Sequence, residues 1–323
     1  MIARRFPIAA LLLAGAVWSG TGLAQQAPQP TAGGIRWSKT VPEIRSGTWN
    51  GPRLPDGQPD IQGFWSNTIS NHSNFTDPQA GPPGEPSDAA SLPREQRAPS
   101  RVSDPADGQI PYRPEARVLQ QDFARNFSNP TEPQYVEPLA RCAPAGVPKS
   151  FMWHGYEIRQ YPGYVLLLFD SGSRIIRLDD DGPRLSDNLK LWNGDSRGHW
   201  EGNTLVVSVR NNNGKALFGR YGDFMSANAT VEERYVFDAD GKRFNYVATF
   251  TDPTVYTRPW TATIPSRRYT EADQPEGWHY DVQRVNGLDE LRYEHRERIC
   301  VENNGPFGGG AVGVPSDGPV IAR

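Results

Sequence analysis

The sequence predicts an all-β fold: an antiparallel meander of short strands closed as a barrel or a sandwich, behind a Pro-rich irregular region with few short helices. Three observations predict it. Apolar residues alternate with polar ones in several runs after residue 149, the period of a strand with one buried face. Tight-turn pairs separate those runs. Prolines crowd the first half, with 20 of the 30 between residues 25 and 148 and only six between 149 and 304. Glycine (32) and proline (30) together make about a fifth of the 323 residues, and aromatics make 11%. That aromatic share belongs to a packed fold and not to a disordered chain.

The elements follow in order. Residues 1–24 read as a leader: Arg4 and Arg5, an apolar run from Phe6 to Val17, then Gly22-Leu23-Ala24 ahead of a cut after Ala24. The run is too short to span a bilayer, and no later stretch is long enough. The expected location is periplasmic or secreted. Residues 25–148 form a Pro/Gly-rich extended region packing on the barrel, with one helix expected over Pro114 to Phe127, opened by its proline and carrying Val118, Leu119 and Phe123. Residues 149–304 form the β core. Its strands are expected at Tyr156 to Tyr161, Tyr164 to Phe169, Arg174 to Leu178, Thr204 to Arg210, Val231 to Phe237, Phe244 to Phe250 and Tyr256 to Ile264. Gly287 to Cys300 fits a helix or a strand, and residues 305–323 read as a flexible tail. The turns Asp179 to Gly182 and Asp238 to Gly241 resemble fragments of calcium loops, but they lack the distal bidentate acid and read as hairpin turns.

Charge and cysteine content narrow the function. The net charge is −3, with no long basic run, so the electrostatic footprint of a nucleic-acid binder is missing. Cys142 and Cys300 are the only cysteines. In an oxidising compartment they are expected to form a disulfide tying the Pro-rich region to the C-terminal segment. No Gly-rich phosphate loop follows a strand, and no histidine pair has metal-ligand spacing, so neither a cofactor nor a metal is expected.

Two segments concentrate chemistry. In Asp195 to Asn203, His199 titrates near neutrality and Glu201 shares its strand face, which suits proton exchange; Asp195 and Trp200 would line the same site. The bland reading is a hairpin whose tryptophan packs. In Asp252 to Trp260, alternation from Tyr256 would aim Tyr256, Arg258 and Trp260 one way: a phenol and a guanidinium to polarise an oxygen, an indole to stack on a ligand. Here the bland reading is an arginine packed between aromatics. Glu233 falls on a mainly apolar strand face and needs a partner such as an arginine.

Gly63-Phe64-Trp65 resembles the Gly-x-Trp start of calycin barrels such as lipocalins. In that group an arginine from a late strand packs across the tryptophan, a part that Arg292, Arg296 or Arg298 would play here. The resemblance implies a closed, calycin-like barrel around a ligand cavity. Leu54 to Trp65, Arg141 to Pro148, Gly198 to Val207, Asp252 to Trp260 and Cys300 to Asn303 are together similar to a family of secreted bacterial proteins without a general assigned activity. The expected function is therefore an exported small-molecule enzyme. It would use acid/base chemistry without a cofactor, as a lyase, isomerase or hydrolase, on an apolar or aromatic substrate in the barrel. Its catalytic groups would be His199, Glu201, Tyr256 and Arg258, with Trp260, Trp200, Asp195 and Glu233 binding substrate. The alternatives are a non-catalytic binding or carrier protein and an envelope scaffold.

Overall fold

A computed structural model describes residues 41–66, 74–77, 99–127, 130, 132–152, 156–169, 172–178, 182–219, 222–268, 283–285 and 288–290. The strands are β1 (Gly63–Ser66), β2 (Val102–Asp104), β3 (Tyr156–Tyr161), β4 (Tyr164–Phe169), β5 (Gly172–Arg177), β6 (Asp195–Glu201), β7 (Thr204–Arg210), β8 (Thr230–Phe237), β9 (Arg243–Thr251), β10 (Trp260–Arg268), β11 (Gln283–Val285) and β12 (Leu288–Glu290). Among the described residues there is one α-helix, α1 (Pro114–Asn126), and three 3-10 turns at Pro133–Tyr135, Pro138–Arg141 and Lys149–Met152. β1 and β3 to β10 pair in a ring, because β1 bonds both β3 and β10, so nine strands close a barrel. The all-β, barrel-like expectation holds.

Alternation puts one face of each strand inside. Leu205, Val207 and Val209 of β7, Val231, Tyr235 and Phe237 of β8, and Phe244, Tyr246, Ala248 and Phe250 of β9 all join one buried core. The turns behave as their residues require. Gly163 and Gly241 adopt positive φ at the β3–β4 and β8–β9 reversals, where a side chain would strain the backbone.

Three features depart from a simple antiparallel meander. β5 and β6 run parallel, paired at Arg177 and Arg197. A parallel neighbour needs a return connection, and the chain between Leu178 and Asp195 supplies it. Asn211 holds that connection by donating from its side-chain amide to the carbonyls of Leu185, Ser186 and Leu189. Second, the Pro-rich region contributes β1 as a stave and β2 as an extra strand on β10. Pro265 of β10, which has no N–H to give, falls between Thr263, bonded to the carbonyl of Arg101, and Arg267, paired with Ser66. Third, β10 starts at Trp260 and not at Tyr256, since Pro259 cannot join the ladder.

β1 carries the Gly-x-Trp signature. Trp65 is fully buried, donates to the carbonyl of Ile61 at 3.0 Å, and is covered by the Arg268 guanidinium 4.9 Å from its ring. Arg268 also donates to the carbonyls of Gln62 and Gly241. The arginine over the tryptophan thus comes from the last barrel strand; Arg292, Arg296 and Arg298 lie outside the described residues. So do residues 1–24 and 305–323, expected as a leader and a tail, and Cys300.

Helix α1 forms where expected, but its inner stripe is Ala116, Gln120 and Ala124, four residues apart. Val118 and Leu119 face solvent.

Candidate functional site: the barrel lumen and its α1 end

The middle of the lumen is polar. Arg174 of β5 and Glu233 of β8 form a two-pronged ion pair, Nη1–Oε1 at 2.9 Å and Nη2–Oε2 at 2.6 Å, with both side chains almost fully buried. Arg174 also donates to Ser196 Oγ and to the Tyr235 hydroxyl, and Tyr246 donates to Glu233 Oε1 at 2.5 Å. Glu233 therefore has the arginine partner its apolar face demanded. Burial pulls the Arg174 guanidinium down, but the Glu233 carboxylate outweighs this and holds it upward, firmly protonated. Burial, followed by the charge of Glu233, pushes the Tyr235 and Tyr246 phenols well up. Burial does the same to Tyr156.

An aromatic ring from outside the strands packs against the tyrosines of this cluster. Phe151, in the 3-10 turn Lys149–Met152, is fully buried and stacks on Tyr246 at 4.2 Å and 20°. The rings of Tyr156, Phe169 and Tyr235 meet it edge-on at 5.1–5.6 Å. The turn is anchored by Lys149, whose ammonium reaches Glu137 Oε1 at 2.5 Å in a buried pair.

The residues expected to be catalytic do not gather here. His199 and Glu201 stand on the outer wall of β6, about half exposed, 3.2 Å apart. The hydrogen bond from Arg234, and then that from His199, holds the Glu201 carboxyl below its ordinary range. Asp195 is used locally: Oδ1 takes a bond from Arg197 Nε and Oδ2 takes one from the Leu185 amide, closing the β5–β6 connection. Trp200 is half-buried and packs near Phe237.

The second expected cluster is split for a backbone reason. With β10 starting at Trp260, Tyr256 lies in a turn held by Asp252, and strand alternation does not apply. Tyr256 is buried and donates to the carbonyl of Phe224. Arg258 faces solvent in an ion pair with Asp104. Trp260 is fully buried, stacked on Phe250 at 4.3 Å and edge-on to Phe75. Tyr256 and Trp260 still meet edge-on at 5.7 Å inside the core, and Arg258 alone turns away to solvent. Cys142 follows the 3-10 turn Pro138–Arg141 in a left-handed conformation, φ 55°; its expected partner Cys300 is outside the described residues.

One acid was missed in the sequence. Asp223, only 3% exposed, sits where the segment 222–224 packs against α1 and against Tyr112 just before it. Tyr112 donates to its Oδ1 at 3.0 Å, while Oδ2 is buried and meets no donor among the described residues. Burial pushes this carboxyl up to about 6, against the pull of the Tyr112 bond and the Arg117 charge. Gly222 beside it has φ +70°, and a Cβ there would come within 2.5–2.8 Å of Phe123, Gln120 and Ala124 of α1, so the close approach requires glycine.

Among the described residues no group of three or more His, Cys, Asp or Glu side chains could hold a metal ion, and no helix is long and apolar enough to cross a membrane. Comparison with protein-family models, curated proteins and solved structures finds no match.

Proposed function

We propose that this chain is an exported protein that binds a small planar aromatic molecule in the barrel lumen, in the position taken by the Phe151 ring. The carrying observation is Phe151 itself: a fully buried ring supplied by a connecting turn, stacked on Tyr246, whose hydroxyl donates to Glu233. Barrel interiors with an aromatic wall and a few fixed polar groups are common ligand sites. Binding fits these residues better than turnover, because Arg174, Tyr156, Tyr235 and Tyr246 each keep one protonation state at neutral pH. His199 and Glu201 are on the outer wall. The second reading is the cofactor-free acid/base enzyme, a lyase, isomerase or hydrolase, favoured by the Asp223 carboxyl, which burial pushes up to about 6.

Residues 25–323 are expected to bind 4-methylphenol one-to-one by calorimetry. Phe151→Ala should bind it at least about tenfold more tightly, since no ring has to leave (each 1.4 kcal/mol is tenfold). Uptake by Phe151→Ala alone would make the ring a plain core residue and end the binding proposal. Incubation with a metabolite extract separates the two readings: a compound retained unchanged supports binding, and a compound lost with a matching new mass supports the enzyme.

Export also carries the proposed Cys142–Cys300 bridge, which would close a loop of about 158 residues, worth roughly 4–5 kcal/mol on loop-entropy grounds. Denatured, unreduced protein is expected to take up no alkyl groups by mass spectrometry, and reduced protein two. Two groups without reductant would exclude the bridge.

A further inference from the structure

We propose that the junction between α1 and the segment 222–224 is a second binding site, for a small organic cation of the protonated-amine class, which donates to Asp223 Oδ2. The site uses none of the residues that box the Phe151 ring and does not depend on the phenol reading.

Three observations carry it. The first is the unused oxygen: Tyr112 occupies Oδ1 of Asp223, and Oδ2 is buried without a donor among the described residues. A buried carboxylate oxygen without a donor is costly, and an ammonium supplies both N–H donors and the opposite charge. The second is the wall. Tyr112 and Phe224 stack at 6.0 Å and 28°, Phe123 meets Phe224 edge-on at 5.8 Å, and Tyr256 lies 5.5 Å from Tyr112. Aromatic faces around a carboxylate attract a cation through their quadrupoles and repel an anion. The third is that a cation already uses this wall: the Arg117 guanidinium of α1 lies 4.5 Å over the Tyr112 ring. Its N–H groups go to Gln120 Oε1 and the Ile110 carbonyl, leaving Asp223 Oδ2 open.

The other charged groups nearby are engaged. Asp252, in the turn before β10, accepts from the Ser226 amide and from Thr254. Burial and then Asp223 push the Tyr112 phenol up, and burial does the same for Tyr256, so both stay protonated donors. Asp223 is thus the group whose charge changes, between its neutral form and the carboxylate that holds the amine.

The test is calorimetry of full-length mature protein with benzylammonium chloride, using benzyl alcohol as the neutral control of the same shape. At pH 8 the ammonium is expected to bind at least about tenfold more tightly than the alcohol. Its affinity should fall about tenfold between pH 8 and pH 5, because protonation of the carboxyl competes with the ligand. Asp223→Asn, which keeps the shape, is expected to lose at least about tenfold in affinity at pH 8 together with the pH dependence. Its melting curve and its circular dichroism report whether it is folded. Should that variant not fold, Tyr112→Phe is the substitute: without the phenol bond that pulls the Asp223 carboxyl down, the midpoint of the pH dependence should move upward. No uptake by the wild type, equal uptake of the alcohol, a folded Asp223→Asn that binds as well as wild type, or an unmoved midpoint in Tyr112→Phe would each overturn the proposal.

Discussion

Replacing Arg174 with methionine should lower the stability of the barrel by about 3–5 kcal/mol, the usual cost of leaving one member of a buried ion pair alone. The size follows from what the guanidinium satisfies. Four of its bonds go to Glu233 and Ser196 and a fifth goes to Tyr235, all inside the lumen. Removing it strands the Glu233 carboxylate, which keeps only Tyr246 and the weaker 3.5 Å contact from Tyr235. The double change Arg174→Met with Glu233→Leu removes the stranded charge as well, so it should recover more than half of the loss. Urea unfolding at fixed pH measures both. A single variant within about 1 kcal/mol of wild type would mean that the pair is solvated, and the lumen would then be wetter than its burial indicates.

This cluster also marks how far the sequence could be read. Alternation located β3, β4, β7, β8 and β9 closely, because each buries one apolar face and ends at a turn. Glu233 stood out as an acid on such a face. Its partner did not, because Arg174 sits in Gly172–Arg177 next to Ile175 and Ile176, two adjacent isoleucines that leave the inner face undecided. The barrel puts Ile176 and Arg174 inside and leaves Ile175 in solvent. The parallel β5–β6 step was illegible for a related reason: the segment between those strands has no alternation, and one long connection fixes the direction. Strands of three or four residues such as β1 and β2 carry too few positions for a period. Asp223, between a glycine and a phenylalanine, reads as an ordinary turn acid. It is covered by groups more than 90 residues earlier in the chain, Tyr112 on the carboxyl and α1 against the neighbouring Gly222.

Trp260 separates the two ways of reading its segment. If it were a ligand platform, Trp260→Ala would weaken binding and leave the fold alone. The indole is instead fully buried at the start of β10, stacked on Phe250 at 4.3 Å and 18°, with Phe75 and Tyr256 edge-on at 5.7 Å. Truncating a buried tryptophan removes its transfer energy and leaves a cavity, a cost of about 3–5 kcal/mol. The expected result is a drop in Tm on the order of 10 °C, with the affinity of the folded fraction for 4-methylphenol unchanged, because the lumen ring box is built from Phe151, Tyr156, Phe169, Tyr235 and Tyr246. Trp260→Phe keeps a ring against Phe250 and should lose less than half as much. Thermal unfolding paired with calorimetry decides the matter. An unchanged Tm with weakened binding would return Trp260 to the ligand, and it would mean that the α1 end of the barrel opens in solution.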